Sequence, residues 1–386
     1  MSFEEIKEEL EWSKISIDLQ NQFMELAEMD SNNISVKIET LNNKLNVIKE
    51  EIKRYFKEFA ENKSGLLIGA VDGCKSLTSK ESIGAGCVIY TYGYVIIKGK
   101  KLHNDAKAGR IIYRNVGEEV AKKALGLILT YLERKCALSL VEKCDYVLID
   151  GSFFGFIYSM LRLKKLGLLS EKLQDMLIKT VEITNKLIEK KKVIGVVKRT
   201  HTRAIGAWYF LKNKDKTYCD IPDRLILSYL MQPKTLFDYR EITEGHPVQV
   251  YNEISLLVNK NEEENILEKA INKFYEPFKA LNIDSNYATN LRRIQVKAFR
   301  NAPTCEIEHP DLSLDELLRI ISSESFFNNL TGLPIAIDII DELVRFPNKL
   351  TGEYITEVEA KTVSKLKNKI PLELVKTYFS SLNPQK

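Results

Sequence analysis

The sequence predicts an α/β protein: a mixed sheet flanked by helices, with a long N-terminal helical arm over residues 1–63 and a domain from 64 to 386 that carries a helical insertion at about 204–290. The sheet is predicted by two short apolar runs, Leu66 to Val71 and Tyr146 to Ile149, which lack polar alternation as strands covered on both faces do. Each run closes on an Asp-Gly step, Asp72-Gly73 and Asp150-Gly151-Ser152. The arm is predicted by Ile34, Ile38, Leu41, Leu45, Ile48, Ile52, Tyr55 and Phe59, whose spacing by fours and threes is a heptad seam of about three and a half repeats. That seam meets either a second chain or its own core, and Asn42, Asn43 and Asn46 beside it argue against a strong zipper.

Glycine after a strand allows the backbone to turn sharply, so each run delivers one carboxylate to a sheet edge. If the two strands are neighbours, Asp72 and Asp150 converge where water and a hard divalent cation can reach them. That is the setting for metal-assisted phosphodiester cleavage, although an isolated Asp-Gly also simply starts a turn. Between the runs, Ile83 to Tyr92 and Tyr94 to Lys98 read as strands, which makes the Asp72 strand the first of a three-stranded antiparallel meander. Asn115-Val116-Gly117-Glu118 then has capping-box spacing, and a helix runs to about Lys135. Glu118 aligns with Ala121, Leu125, Ile128 and Leu132 and opens the buried stripe. Glu119 aligns with Lys122, Lys123, Gly126, Thr130 and Glu133 on the face assigned to solvent. Glu118 is therefore either an inward carboxylate or a helix cap.

A strand ending in Asp, two more strands, a helix opening on an inward Glu, a second strand ending in Asp, then helix and strand is the layout of the ribonuclease H superfamily. From about Gly65 to about Arg345 the chain resembles the NurA nucleases. The resemblance is carried by Ala70-Val71-Asp72-Gly73 with Ser76 nearby, Glu118, Leu148-Ile149-Asp150-Gly151-Ser152, the strand Val193 to Lys198, Cys305-Glu306-Ile307-Glu308-His309-Pro310, and Gly332-Leu333-Pro334. It implies a manganese-dependent DNA nuclease, dimeric, acting beside the hexameric ATPase HerA to resect DNA ends for recombination. In the expected site Asp72 bridges two Mn or Mg ions roughly 3.5 to 4 Å apart, and Glu118 and Asp150 complete the cage.

One segment departs from the family pattern. Members carry a late Gly-Tyr-Pro turn and then a helix whose His, eight residues after the Tyr, points into the metal site. Here Leu333 replaces the Tyr, and the residue eight further on is Asp341. On a helix Asp341 shares a face with Ile337, Asp338 and Val344, so it is expected as the fourth metal-site carboxylate. The alternative is an exposed Asp paired with Arg345, and His309 is the fallback source of an imidazole.

The remaining segments add a candidate DNA contact. A helix from about Ser170 to Lys190 precedes a core strand, Val193 to Val197. If that strand runs parallel to the Asp150 strand, Lys198 and Arg199 emerge at the carboxylate edge and can meet a phosphate backbone; a wet loop is the plainer reading. For His201 a catalytic base is the lesser reading, and its Thr and Arg neighbours make a phosphate-contact loop equally reasonable. Within the insertion Pro222 to Met231 and Glu262 to Ala280 read as helices, and Trp208, Tyr209, Phe237, Tyr239 and Tyr251 read as packing residues before base-stacking ones. Arg292, Arg293, Lys297 and Arg300 alternate as on a half-exposed strand, a second candidate DNA-facing edge. The lysine-rich tail, Lys361 to Lys376, can contact DNA or the ATPase.

Composition sets outer bounds. With 386 residues, 44% hydrophobic, wholesale disorder is excluded. A net charge of only +4 means that nucleic-acid affinity must come from local patches. Six cysteines without a Cys-x-x-Cys pair and four scattered histidines show no zinc-site spacing. Reduced thiols, a cytoplasmic location and no membrane span are expected. The rival readings are a non-catalytic DNA-binding or scaffold subunit and another ribonuclease H-like enzyme, such as a resolvase or an RNA nuclease.

Overall fold

The computed structural model describes residues 14–62, 65–75, 86–113, 117–198, 200–261, 264–346, 350–366 and 369–382. The chain divides into a unit ending at Arg54 and a second unit from Tyr55 onward. Among its described residues the first contains a long helix, α1 (Ile17–Lys53), opened by Ser16, whose hydroxyl accepts from the Leu19 amide. The heptad positions Ile34 and Ile38 on it are exposed. The expected seam overshoots the helix, because residues 56–58 are extended instead.

In the second unit the strands are β1 (Phe56–Glu58), β2 (Ile68–Lys75), β3 (Gly86–Lys98), β4 (Lys100–Tyr113), β5 (Tyr146–Asp150), β6 (Val193–Val197), β7 (Thr235–Asp238), β8 (Leu291–Lys297) and β9 (Cys305–Pro310). They form one mixed sheet in the order β1-β7-β8-β9-β6-β5-β2-β3-β4. The pairs β2/β5 and β5/β6 are parallel and the others antiparallel. The buried apolar runs foreseen at 66–71 and 146–149 are thus adjacent central strands.

The meander differs in detail from expectation. One strand runs unbroken through Gly93, where a Cβ would collide with the Asp105 carbonyl of β4. The chain turns at Gly99 (φ +68°) instead, and β4 extends a segment that the sequence left unassigned. Residues 83–85 of the expected strand lie outside the described residues.

The helices are α2 (Glu118–Leu140), α3 (Gly155–Lys165), α4 (Glu171–Glu189), α5 (Ala204–Asn213), α6 (Asp223–Leu230), α7 (Val248–Asn259), α8 (Ile266–Leu281), α9 (Asn286–Thr289), α10 (Leu314–Ile321), α11 (Ile335–Val344), α12 (Leu350–Leu366) and α13 (Leu372–Leu382). Strand alternation sorts them onto two faces. Gly69 and Gly73 of β2 meet α2 through Leu140, Leu129 and Glu133, with Cys144 just beyond it. Ile68 and Ala70 join a core with Ile320, Ile337 and Ile340 of α10 and α11. No helix among the described residues is long and apolar enough to cross a membrane.

Candidate active site

Asp72 and Asp150 are brought together by strand register. Val71 of β2 lies opposite Ile149 of β5, so the next residue on each parallel strand is the carboxylate, and both stand at the same sheet edge. Asp72 is buried, and one oxygen accepts from the Gly73 amide at 2.7 Å. Its carboxyl is pushed up to about 8, first by burial, then by Asp150 and Glu133, while Lys198 and the Gly73 amide act the other way.

The helix carboxylate at this site is Glu133. A Cβ at Gly73 would lie 2.8 Å from Glu133 Oε1, so the glycine opens the gap through which α2 lowers this side chain onto β2. Burial first, and Asp150 with it, holds the Glu133 carboxyl at about 7 against the pull of Arg134 and Lys75. This corrects the sequence-based reading on two counts. Glu133 belongs to a face that packs on the sheet, not to a solvent face. Glu118, fifteen residues earlier, stands about 22 Å away along the helix axis at 1.5 Å per residue, and its side chain lies outside the described residues.

Lys198 follows β6, whose Val196 lies opposite Asp150. Its amine makes ion pairs with Asp150 at 3.0 Å and Asp341 at 3.1 Å. Burial works against its charge, but Asp150, Asp72 and Asp341 outweigh it and hold the amine above the ordinary lysine value. Asp341, on the solvent-facing side of α11, is thereby joined to the strand-end carboxylates. Arg199 lies outside the described residues.

His309 does not reach this edge. It sits on β9 beyond Glu308, which pairs with Gly195, and therefore toward the opposite end of β6. It is fully buried, its Nδ1 accepts from the Leu312 amide, and burial pushes it down to about 3. The expected DNA-facing edge at 292–300 is also corrected. Arg293 is buried, with Nη1 2.6 Å from Glu306 and Nε 2.7 Å from Glu308, and Lys297 donates to the Ala302 and Ser228 carbonyls. The hydroxyls of Thr200 and Thr202 are likewise committed to Glu306, which leaves little of the expected phosphate-contact loop. Phe237, Tyr239 and Tyr251 are core residues, as their density in the sequence suggested.

Glu308 ties the site to the core. It accepts from the Ser152 hydroxyl at 3.0 Å and the Phe153 amide at 2.7 Å, anchoring the loop that follows Asp150. Among the described residues no group of three or more His, Cys, Asp or Glu side chains is arranged to enclose an ion; the Lys198 amine lies between Asp150 and Asp341. The donors nonetheless suit a hard divalent cation. They are carboxylate oxygens only, and the raised values of Asp72 and Glu133, set first by burial and then by neighbouring carboxylates, mark ionised forms that such a cation would stabilise.

The strand order and the acidic groups at the strand ends define a ribonuclease H-like α/β protein. The family profile described as the NurA domain matches residues 66–346, and the chain belongs to the NurA family. Among solved structures, the NurA nuclease from Sulfolobus solfataricus superposes with a TM-score of 0.56 at 15% identity, over 92% of this chain and 100% of that one. A NurA bound to dAMP and manganese aligns with a TM-score of 0.48 at 12% identity, over 88% of this chain and 98% of that one. No curated protein matches the sequence.

Proposed function

We propose that the protein is a divalent-metal-dependent deoxyribonuclease. The observation that carries this reading is the convergence of Asp72 and Asp150 on adjacent parallel strand ends, with Glu133 lowered onto them through Gly73. Asp72, Glu133, Asp150 and Asp341 would hold Mn2+ or Mg2+, the expected pair of ions included. When bound, the metal supplies Lewis acidity that lowers the pKa of an attacking water and offsets charge on the leaving 3' oxygen. Lys198, kept charged by three carboxylates, presents an amine at the same edge to orient the scissile phosphate. Asp72 and Glu133 must give up their protons to serve as ligands, so metal uptake is favoured by rising pH.

Family membership supports a finer reading: a homodimer that works with a HerA-like hexameric ATPase and resects DNA ends 5' to 3' in double-strand break repair. Incubating the purified chain with labelled single- and double-stranded DNA and RNA, in Mn2+, in Mg2+ and in chelator, tests the activity. Metal-dependent DNA cleavage that Asp72→Asn abolishes is expected. Cleavage of RNA alone would point to a different ribonuclease H-like enzyme, and binding without cleavage of any substrate to a scaffold.

A further inference from the structure

Beside the carboxylates, on the α2 face of the sheet, lies a cleft of about 390 Å³ between α2 and the start of α3. Three lysines line it: Lys75 from the last position of β2, and Lys122 and Lys123 from α2. Among the described residues that line it the carboxylate is Glu119, shared between Lys123 at 2.8 Å and Arg162 at 3.2 Å. The opposite wall is the first turn of α3, Gly155 and Phe156, followed by Ser159. That helix has neither a capping side chain nor an acidic residue in its first turn, so its positive end faces the cleft without a built-in counter-charge.

All three lysines are half-buried, and they come from two elements. Lys75 occupies a sheet-face position where an apolar residue would pack at no electrostatic cost. Its amine donates to the Lys122 carbonyl at 3.3 Å. Burial first, then repulsion from Lys122 and Lys123, holds it below the ordinary lysine value despite the pull of Glu133. Like charges gathered against both desolvation and one another are favoured by an anion between them. The cleft also lies in line with the site. Lys122, Gly126, Leu129 and Glu133 follow one face of α2 by steps of four, three and four, which puts Lys122 about 16 Å along the axis from Glu133, a few nucleotides of extended strand.

We propose that this cleft holds a backbone phosphate of the nucleic-acid strand whose cleaved bond lies at the carboxylates, a few nucleotides from that bond. The proposal rests on the nuclease reading for its placement. It assigns Lys75, Lys122 and Lys123 to phosphate binding, with the α3 amides facing the same anion.

The test is fluorescence anisotropy of a labelled single-stranded DNA oligonucleotide on the full chain in chelator, across a salt series, beside cleavage assays in Mn2+. Lys122→Gln/Lys123→Gln is expected to weaken binding about tenfold and to make the salt dependence shallower by about 0.7, the loss of one single-strand phosphate contact. Ser159→Glu, which adds a negative charge from the opposite wall, is expected to act in the same direction. Lys172→Gln/Lys179→Gln on α4 removes the same net charge elsewhere and is expected to bind as the wild type does. Unchanged binding in both cleft variants, or an equal loss in the α4 control, overturns the proposal. Inorganic phosphate that binds the wild type but not the cleft variants, with DNA bound equally by both, would give the cleft to a free anion and overturn it too. If no variant and no wild-type protein cleaves DNA while the cleft variants still lose binding, the nuclease reading falls and the cleft assignment stands. If the wild type cleaves and the cleft variants bind unchanged, the reverse holds.

Discussion

Asp72 carries a cost that the proposed role as a metal ligand would explain. Folded, it keeps its proton up to about pH 8, whereas an unfolded Asp releases it near 3.8. Between those values the native state binds more protons than the unfolded chain, so stability falls as pH rises from about 4 to about 8. Asp72→Asn removes that ionisation. The variant is expected to melt higher than the wild type in chelator at pH 8, with a smaller difference at pH 5, and to have lost metal-dependent cleavage; equal melting curves at pH 8 would refute the account. Added Mn2+ is expected to raise the wild-type melting temperature at pH 8 and not that of the variant. Gly73 gives a second residue-scale prediction. Because the nearest obstacle to a Cβ there is the mobile end of Glu133, Gly73→Ala is expected to cost only about 1 kcal/mol in denaturant unfolding. The displaced carboxylate should lower metal affinity about 10- to 100-fold, measured by titration. The convergence of Asp72 and Asp150 was legible in the sequence because two buried runs each close on Asp-Gly, whereas either alone reads as well as the start of a turn. Glu133 was not, because a helical wheel shows which residues share a face and not what that face meets. The glycines at 69 and 73, four apart on one side of β2, were the available signal that a helix approaches closely there.

Among the elements, β8 and β9 do different work from that expected of a basic edge. Both buried glutamates of β9 depend on one guanidinium from β8, and Glu308 in turn holds Ser152 and Phe153 of the loop after Asp150. Arg293→Met leaves two buried carboxylates without their counter-charge, which is expected to destabilise the protein by about 3–5 kcal/mol in urea unfolding. Arg293→Lys is expected to rescue little, since a single amine cannot reproduce the forked contacts. A loss under 1 kcal/mol would show that the network is not structural. The sequence suggested basic alternation along this strand but could not pair it. The partners, Glu306 and Glu308, sit on the next strand, and whether a basic residue faces solvent or a buried acid depends on that pairing.

At the scale of the whole molecule, the layout of strand, meander, helix and strand was readable because each element has a local signal in periodicity or glycine placement. The β4 extension and the late insertion of β9 beside β6 were not, since both depend on contacts between distant segments. The exposed Ile34 and Ile38 on α1 bear on assembly. If the homodimer forms through this seam, Ile34→Asp/Ile38→Asp should shift the full chain from dimer to monomer in light scattering while its DNA cleavage pattern persists at reduced rate; a variant that stays dimeric places the interface elsewhere.

The order of the sheet also dictates the order in which the protein can be born. Strands β2 to β6 emerge from the ribosome as a contiguous half-sheet, but the free side of β6 finds its partner only when β9 has been made, with β7 and β8 in between. β1, synthesised before all of them, waits equally for β7. Throughout that interval the growing chain presents an open, apolar strand edge, the surface on which one nascent copy can join another. Closure through such distant partners is slow, and refolding from denaturant should therefore lose yield steeply as protein concentration rises.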